Sequence, residues 1–289
     1  MCRKRLEILV SCLFLSSFCC SAARAQTSVD SWDALKTGVA AGEVTLGEDI
    51  QATANQPIRD YQNGAVIHGD GHKITGSDYT TDSAGSGGLI VLDKVSGDGL
   101  SLDGVDVSGF HNTSSDDDAS GTGVIYVKDS NMGTIDGKFS DNSVISSYGT
   151  IGSVVSNAGG NITGITDSIF EGNSVAENSS EKDEVTSRGG AVYNGASDDK
   201  AGIIGDISGS SFKDNSVTSE NNGAGGGAIY NSADSSIGNI AADFSGNKVV
   251  SNANVDKDRF VANGGAIYNN ASSIGNISGN FTQNSVEAT

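Results

Sequence analysis

The feature that most restricts what this chain can fold into is a repeat. Three hexapeptides are near-copies: Gly189-Gly190-Ala191-Val192-Tyr193-Asn194, Gly226-Gly227-Ala228-Ile229-Tyr230-Asn231 and Gly264-Gly265-Ala266-Ile267-Tyr268-Asn269. Their tyrosines lie 37 and 38 residues apart. A second element, Ile-Gly-Asn-Ile, stands at 237–240 and 274–277, with a near-copy at 204–207 and weaker ones at 162–165 and 132–135. A third, Phe-x-x-Asn-Ser/Lys-Val, stands at 139–144, 170–175, 212–217, 244–249 and 281–286. The order of the three is constant. Length variation is concentrated in the Asn/Ser/Glu-rich stretches that follow the third, such as 177–187 and 219–223.

Each element is short, β-branched or aromatic, and bounded by Gly, Asn or Ser, which is how a strand between turns reads. A short strand cannot bury its own face, so like strands must stack on the coil above and the coil below. The predicted fold is therefore all-β: a right-handed parallel β-helix (solenoid) with one coil per repeat. In it Phe212, Phe244 and Phe281 point inward, Tyr193, Tyr230 and Tyr268 mark one strand column, Gly190, Gly227 and Gly265 recur as structural repeat positions, and glycine supplies the positive φ that corners need. Asn215, Asn247 and Asn284, with Asn173, recur at one position and can stack as a ladder of amide hydrogen bonds. With about 4.8 Å between strands, five coils span roughly 24 Å.

Other folds fit poorly. The 40 glycines disfavour helix, since Gly costs about 1 kcal/mol per interior site relative to Ala. There is no glycine at every third position and no Gly-Gly-x-Gly-x-Asp series, so collagen and RTX-type repeats lack support. Gly-rich, polar composition by itself suits disorder, but here the apolar residues recur in register.

The N-terminus reads as an export signal. Arg3, Lys4 and Arg5 precede an apolar stretch, 8–20, and Ala23-Arg24-Ala25 supplies small residues for cleavage after Ala25. All four cysteines (Cys2, Cys12, Cys19 and Cys20) lie inside it. A cysteine-free exported chain must be held by its core rather than by disulfides. Losing four basic residues and one acidic residue with the signal takes the net charge from −19 to −22, which repels nucleic acid and anionic membranes. No later segment approaches 18 consecutive apolar residues, so no membrane-spanning helix is expected in this chain.

Residues 1–25 are thus read as the signal peptide, 26–112 as an N-terminal cap with the first coils, and 113–289 as the β-helix of regular repeats. A helix is predicted over 28–39, with Asp30 or Ser31 as cap and Trp32, Leu35 and Val39 on one face, covering the open end of the first coil. Trp32 is read as a core plug. A strand is expected over 44–50, with short strands around 65–68, 73–75 and 89–92. Residues 100–112 read as a degenerate first copy of the repeat, with Phe110 to Asn112 ending it.

Paired Gly-Gly-Ala-Ile/Val and Phe-x-x-Asn motifs over roughly 121–286 resemble the repeats of chlamydial polymorphic outer membrane proteins and related β-helical autotransporter adhesins. The run Asp70-Gly71-His72-Lys73-Ile74-Thr75-Gly76, after a helix and strand, also resembles the entry of pectate-lyase-like β-helices. The first resemblance implies a passenger secreted through a C-terminal β-barrel and displayed outside the outer membrane. The sequence departs from that family in lacking about ten-residue alternating strands repeated eight or more times. The last coil matches its predecessors and nothing caps it. The chain is therefore expected to be a truncated or split passenger, or to associate end to end with another subunit.

Three sets of residues invite a chemical reading. Asp98, Asp103 and Asp106 are the best carboxylate cluster for a polysaccharide hydrolase, although Asp in glycine turns is ordinarily a turn former. Asp70, His72 and Lys73 suit a lyase with Ca²⁺ ligands or, equally, a polar turn. Asp116-Asp117-Asp118 reads as a solvated loop, with weak Ca²⁺ binding as the sharper option. His68, His72 and His111 lack metal-ligand spacing. The expectation is no catalytic residue, no cofactor and no metal. The expected function is an adhesin or binding stalk for a glycan or protein on a host or neighbouring cell. A polysaccharide-degrading enzyme and a ligand-free scaffold stand as alternatives.

Overall fold

The computed structural model describes residues 26–53, 55–81, 87–114, 123–147, 149–178, 186–197, 200–232, 234–252 and 262–288. The segment 1–25 expected to be an export signal, with all four cysteines, and the Asp116–Asp118 run lie outside the described residues. The chain is a parallel β-solenoid: every pairing between its strands is parallel, and the strands stack in four sheets.

The repeat motifs stack on one another in register. The Tyr sheet is built of six strands, Ile90–Asp93, Ile125–Lys128, Val155–Ala158, Val192–Gly195, Ile229–Asn231 and Ile267–Asn269, with Tyr193 opposite Tyr230 and Tyr230 opposite Tyr268. The Val sheet has seven strands, from Asp78–Thr81 to Ser285–Ala288, and aligns Val144, Val175, Val217, Val249 and Val286. The long sheet carries the Ile-Gly-x-Ile strands and the Phe strands. It aligns Ile162, Ile204, Ile237 and Ile274 in one column and Phe139, Phe170, Phe212, Phe244 and Phe281 in another. A small fourth sheet joins Ser187–Arg188, Ala224–Gly225 and Ala262–Asn263.

The Phe column is a continuous stack inside the rod. Ring centroids are 5.2, 4.7, 4.9 and 4.7 Å apart from Phe139 to Phe281, and the four pairs tilt by no more than 15°. Phe139, Phe170, Phe212 and Phe244 are fully buried, whereas Phe281 on the last rung is 47% exposed. Each such pair adds about 0.5–1.5 kcal/mol beyond the area it buries.

The predicted asparagine ladder is present and begins one rung earlier than read, at Asn142. Each Asn Nδ2 donates to the Oδ1 of the next, at 3.0 Å for Asn142–Asn173, Asn173–Asn215 and Asn215–Asn247 and 2.8 Å for Asn247–Asn284. The second Nδ2 hydrogen goes to a carbonyl of the preceding coil, as in Asn215 Nδ2 to Phe170 O at 2.9 Å. The backbone N–H of each also reaches the next Oδ1. A second ladder, Asn157–Asn194–Asn231–Asn269, runs up the Tyr sheet at 2.7, 2.8 and 2.9 Å. Buried amides are thereby paired along the axis, as a dry interior requires, except that Asn157 Oδ1 at the start of the second ladder has no partner.

The Gly-Gly pair divides two tasks. The first glycine takes a positive φ (67° at Gly189, 68° at Gly226, 60° at Gly264) and turns the chain into the strand. The second lies so close to the next coil that a Cβ on Gly227 would collide with the Gly265 carbonyl. The first requirement is conformational and the second steric, which is why both positions demand glycine.

Three expectations near the N-terminus are corrected in detail. The helix spans Trp32–Ala41, because Thr27–Val29 is a strand that pairs with Val44–Leu46. Ser31 stands at the N-cap position without a side-chain capping bond. Residues 44–50 form not one strand but Val44–Leu46, then a break, then Ile50–Gln51. In the degenerate copy, Val107 rather than Phe110 occupies the Phe column, opposite Phe139. Phe110 falls at the ladder position instead, and its backbone N–H donates to Asn142 Oδ1 at 3.1 Å, ending the ladder. Trp32 is buried at 6% exposure in the same core as Leu35 and Val39.

Candidate functional site

Two regions of the outer surface differ from the rest of this acidic rod. The first is the outward face of the Val sheet. Alternation along each strand sends Val144, Val175 and Val217 inward and their neighbours outward. The outward residues form two columns: His111, Ser143, Ser174 and Ser216, and beside them Thr113, Ile145, Ala176 and Thr218. Across these four rungs, about 14 Å along the axis, no acidic or basic side chain other than His111 points out. Ile145 is 37% exposed, and His111 Nδ1 lies 2.9 Å from Ser143 Oγ. In the sequence, segments 178–186, 220–223 and 252–261 follow Val-sheet strands, while the insertion 196–202 follows the Tyr-sheet strand Val192–Gly195.

The second region lies on the long sheet near the N-terminal end. His68, the last residue of Val66–His68, sits between two carboxylates: Nε2 is 2.7 Å from Glu43 Oε1 and Nδ1 is 2.6 Å from Asp103 Oδ2. The cleft beside them, about 460 Å³, is lined by Gln26, Thr45, His68, Asp70, Asp103 and neighbouring glycines. Burial alone would lower the His68 pKa, but the hydrogen bonds its ring makes to Glu43 and Asp103 and their charges outweigh it and raise the value. One coil further on, burial raises the Asp136 carboxyl pKa, with help from the charges of Asp103 and Asp167 and against a Gly104 backbone hydrogen bond.

The sequence-predicted acidic cluster is not one site. Asp103 faces His68, Asp98 lines a separate cleft with Gly64, Ser101, Asn131 and Asn161, and Asp106 sits in register between Lys73 and Lys138. Asp70 and Gly71 have φ of 48° and 84°, and His72 N donates to Gly69 O at 2.9 Å, so this run is a tight polar turn. His72 and Lys73 approach Asp49, at 3.6 and 3.9 Å, rather than Asp70. Among the described residues no group of three or more His, Cys, Asp or Glu is gathered that could hold a metal ion.

The repeat tyrosines and phenylalanines named from the sequence stack in register on their counterparts. Tyr193 and Tyr230 are buried, at 7% and 3% exposure, and Arg188 lies over the Tyr230 ring at 5.4 Å. Sequence reasoning missed the His68 relay, because Glu43, His68 and Asp103 are separated by loops of unequal length and share no motif. It also missed the buried carboxylate of Glu177, which accepts a hydrogen bond from Ser219 Oγ at 2.6 Å. The only signal for it was the end-of-strand position that Ser146, Ser219 and Ser251 occupy in neighbouring coils.

Fold and surface together define a class: a ladder-reinforced parallel β-solenoid repeat protein. Comparison with protein families, curated proteins and solved structures finds no match to this chain.

Proposed function

We propose that this chain is an exported, surface-displayed β-helical passenger that acts as an adhesin or binding stalk for a glycan or protein on another cell surface. The observation that carries the reading is the outward face of the Val sheet. On a chain with 36 acidic and 17 basic residues, it is a strip of hydroxyls and small apolar groups across four rungs with no carboxylate, lysine or arginine pointing out. A stiff stacked core that presents an uncharged face is what a binding surface on a repeat scaffold needs. The test is adhesion of beads coated with the purified protein to cells and to glycan and protein arrays. Ala176→Glu places a charge in the strip without touching the core and is expected to lower binding at least tenfold. Unchanged binding in that variant overturns this face as the contact.

A polysaccharide-degrading activity is the second reading, favoured by one observation: Asp136, with its raised pKa, lies in the field of Asp103, which His68 holds as an acceptor. Two carboxyl groups in unlike environments are what acid–base cleavage of a glycosidic bond requires. Depolymerisation of acidic polysaccharides by the protein, abolished in Asp103→Ala, would establish it.

A further inference from the structure

We propose that Glu43, His68 and Asp103 form a pH-set latch on the N-terminal end of the solenoid, closed when His68 is protonated and loosened as the pH rises. The argument begins with hydrogen-bond capacity. An ionised carboxylate only accepts, and a neutral imidazole carries one N–H. Both ring nitrogens of His68 face carboxylate oxygens, at 2.7 and 2.6 Å. Only the imidazolium donates to both. On deprotonation one nitrogen becomes an acceptor pointed at an acceptor, and one of the two contacts must open.

The position makes the contact structural. Thr45 stands opposite His68, and His68 opposite Asp103, on three adjacent strands of the long sheet. Glu43 directly follows Gly42, which ends the helix by donating to the Gly38 and Val39 carbonyls. The relay therefore ties the exit of the helix to the strands Val66–His68 and Ser101–Ser108. Backbone pairing is thin there, with two register pairs between Val44–Leu46 and Val66–His68 and three between Val66–His68 and Ser101–Ser108. The charged groups facing His68 are Glu43 from the helix side and Asp103 from the next coil, with Asp70 lining the same cleft. All three are acidic, and Glu43 and Asp103 favour the protonated ring.

The sign follows from linkage. A histidine whose pKa is raised in the folded state stabilises that state fully below its unfolded value of about 6.5 and loses the contribution as pH rises through the folded value. The latch is thus closed in mild acid and open in mild alkali.

Trp32 is the chain's single tryptophan and sits in this cap, so its fluorescence reports the latch while far-ultraviolet circular dichroism reports the whole rod. In urea titrations of the intact protein, the Trp32 midpoint is expected to fall between pH 5.5 and pH 8.5 by clearly more than the circular dichroism midpoint. His68→Gln is expected to abolish that extra fall, and His72→Gln to leave it in place. If His68→Gln does not fold, Asp103→Asn serves: it removes one charged acceptor and should shrink the extra fall. A His68 ring titrating by NMR at or below the value of an unfolded peptide, or an extra fall that persists undiminished in His68→Gln or Asp103→Asn, overturns the proposal.

Discussion

At the scale of single residues, two positions show how little freedom a stacked coil leaves. Asn215 is fully buried and engaged on both sides: its Oδ1 accepts from the N–H and Nδ2 of Asn173, and its own Nδ2 reaches Phe170 O and Asn247 Oδ1. Asn215→Ala strands those partners in a dry interior, where each unsatisfied group costs about 1–3 kcal/mol, so a loss of about 2–4 kcal/mol is expected. Equilibrium urea unfolding measures it, and a loss under about 1 kcal/mol would mean that water enters to replace the amide. Gly227→Ala forces a methyl group against the Gly265 carbonyl and is expected to cost about 1–3 kcal/mol by overpacking. The same substitution at Gly64, where a Cβ meets nothing within 4 Å, carries only the positive-φ penalty.

At the scale of the element, the Phe stack ties energy to position along the rod. Phe244 is buried between Phe212 and Phe281, with centroids at 4.9 and 4.7 Å. Phe244→Ala should cost about 3–5 kcal/mol, the range for truncating a core Phe. Phe281→Ala, at a site already 47% exposed, should cost clearly less. Because each coil touches only its neighbours, hydrogen exchange in Phe244→Ala should quicken in Ile207–Lys213, Ile240–Ser245 and Phe281–Thr282 and not in Val66–His68. Uniform loss of protection would show that the rod unfolds as one cooperative unit.

At the scale of the whole molecule, the buried tyrosines set an alkaline limit. Burial, and then the charges of Asp93 and Asp129, push the Tyr126 hydroxyl up to about 12, and burial raises Tyr79 and Tyr230 as well. These groups stabilise the fold fully below about pH 10, the unfolded value, and lose that contribution as the pH rises through the folded ones. Absorbance at 295 nm should therefore show tyrosines that ionise only as the circular dichroism signal collapses. Free ionisation of Tyr79, Tyr126 and Tyr230 near pH 10 with the fold intact would contradict their burial.

The sequence alone determined the coil and much of its contents. Identical motifs at a near-constant period must stack like on like, and so the Phe, Ile, Val and Tyr columns and the Asn173–Asn284 ladder were legible before any coordinate. Where the motif decays, register is no longer written locally. Val154, Val155 and Asn157 form a full Tyr-sheet rung without the Gly-Gly-Ala signature, and Val107, not Phe110, meets Phe139. Those assignments follow from which strand has an unpaired neighbour, a property of the stack. The surface was the least legible part. The Glu43–His68–Asp103 contact joins residues 25 and 35 apart through coils of different length, and the uncharged strip is a row across four rungs that no stretch of chain contains. Side chains that meet between coils are set by tertiary register, so their chemistry becomes visible only once the coils are laid on one another.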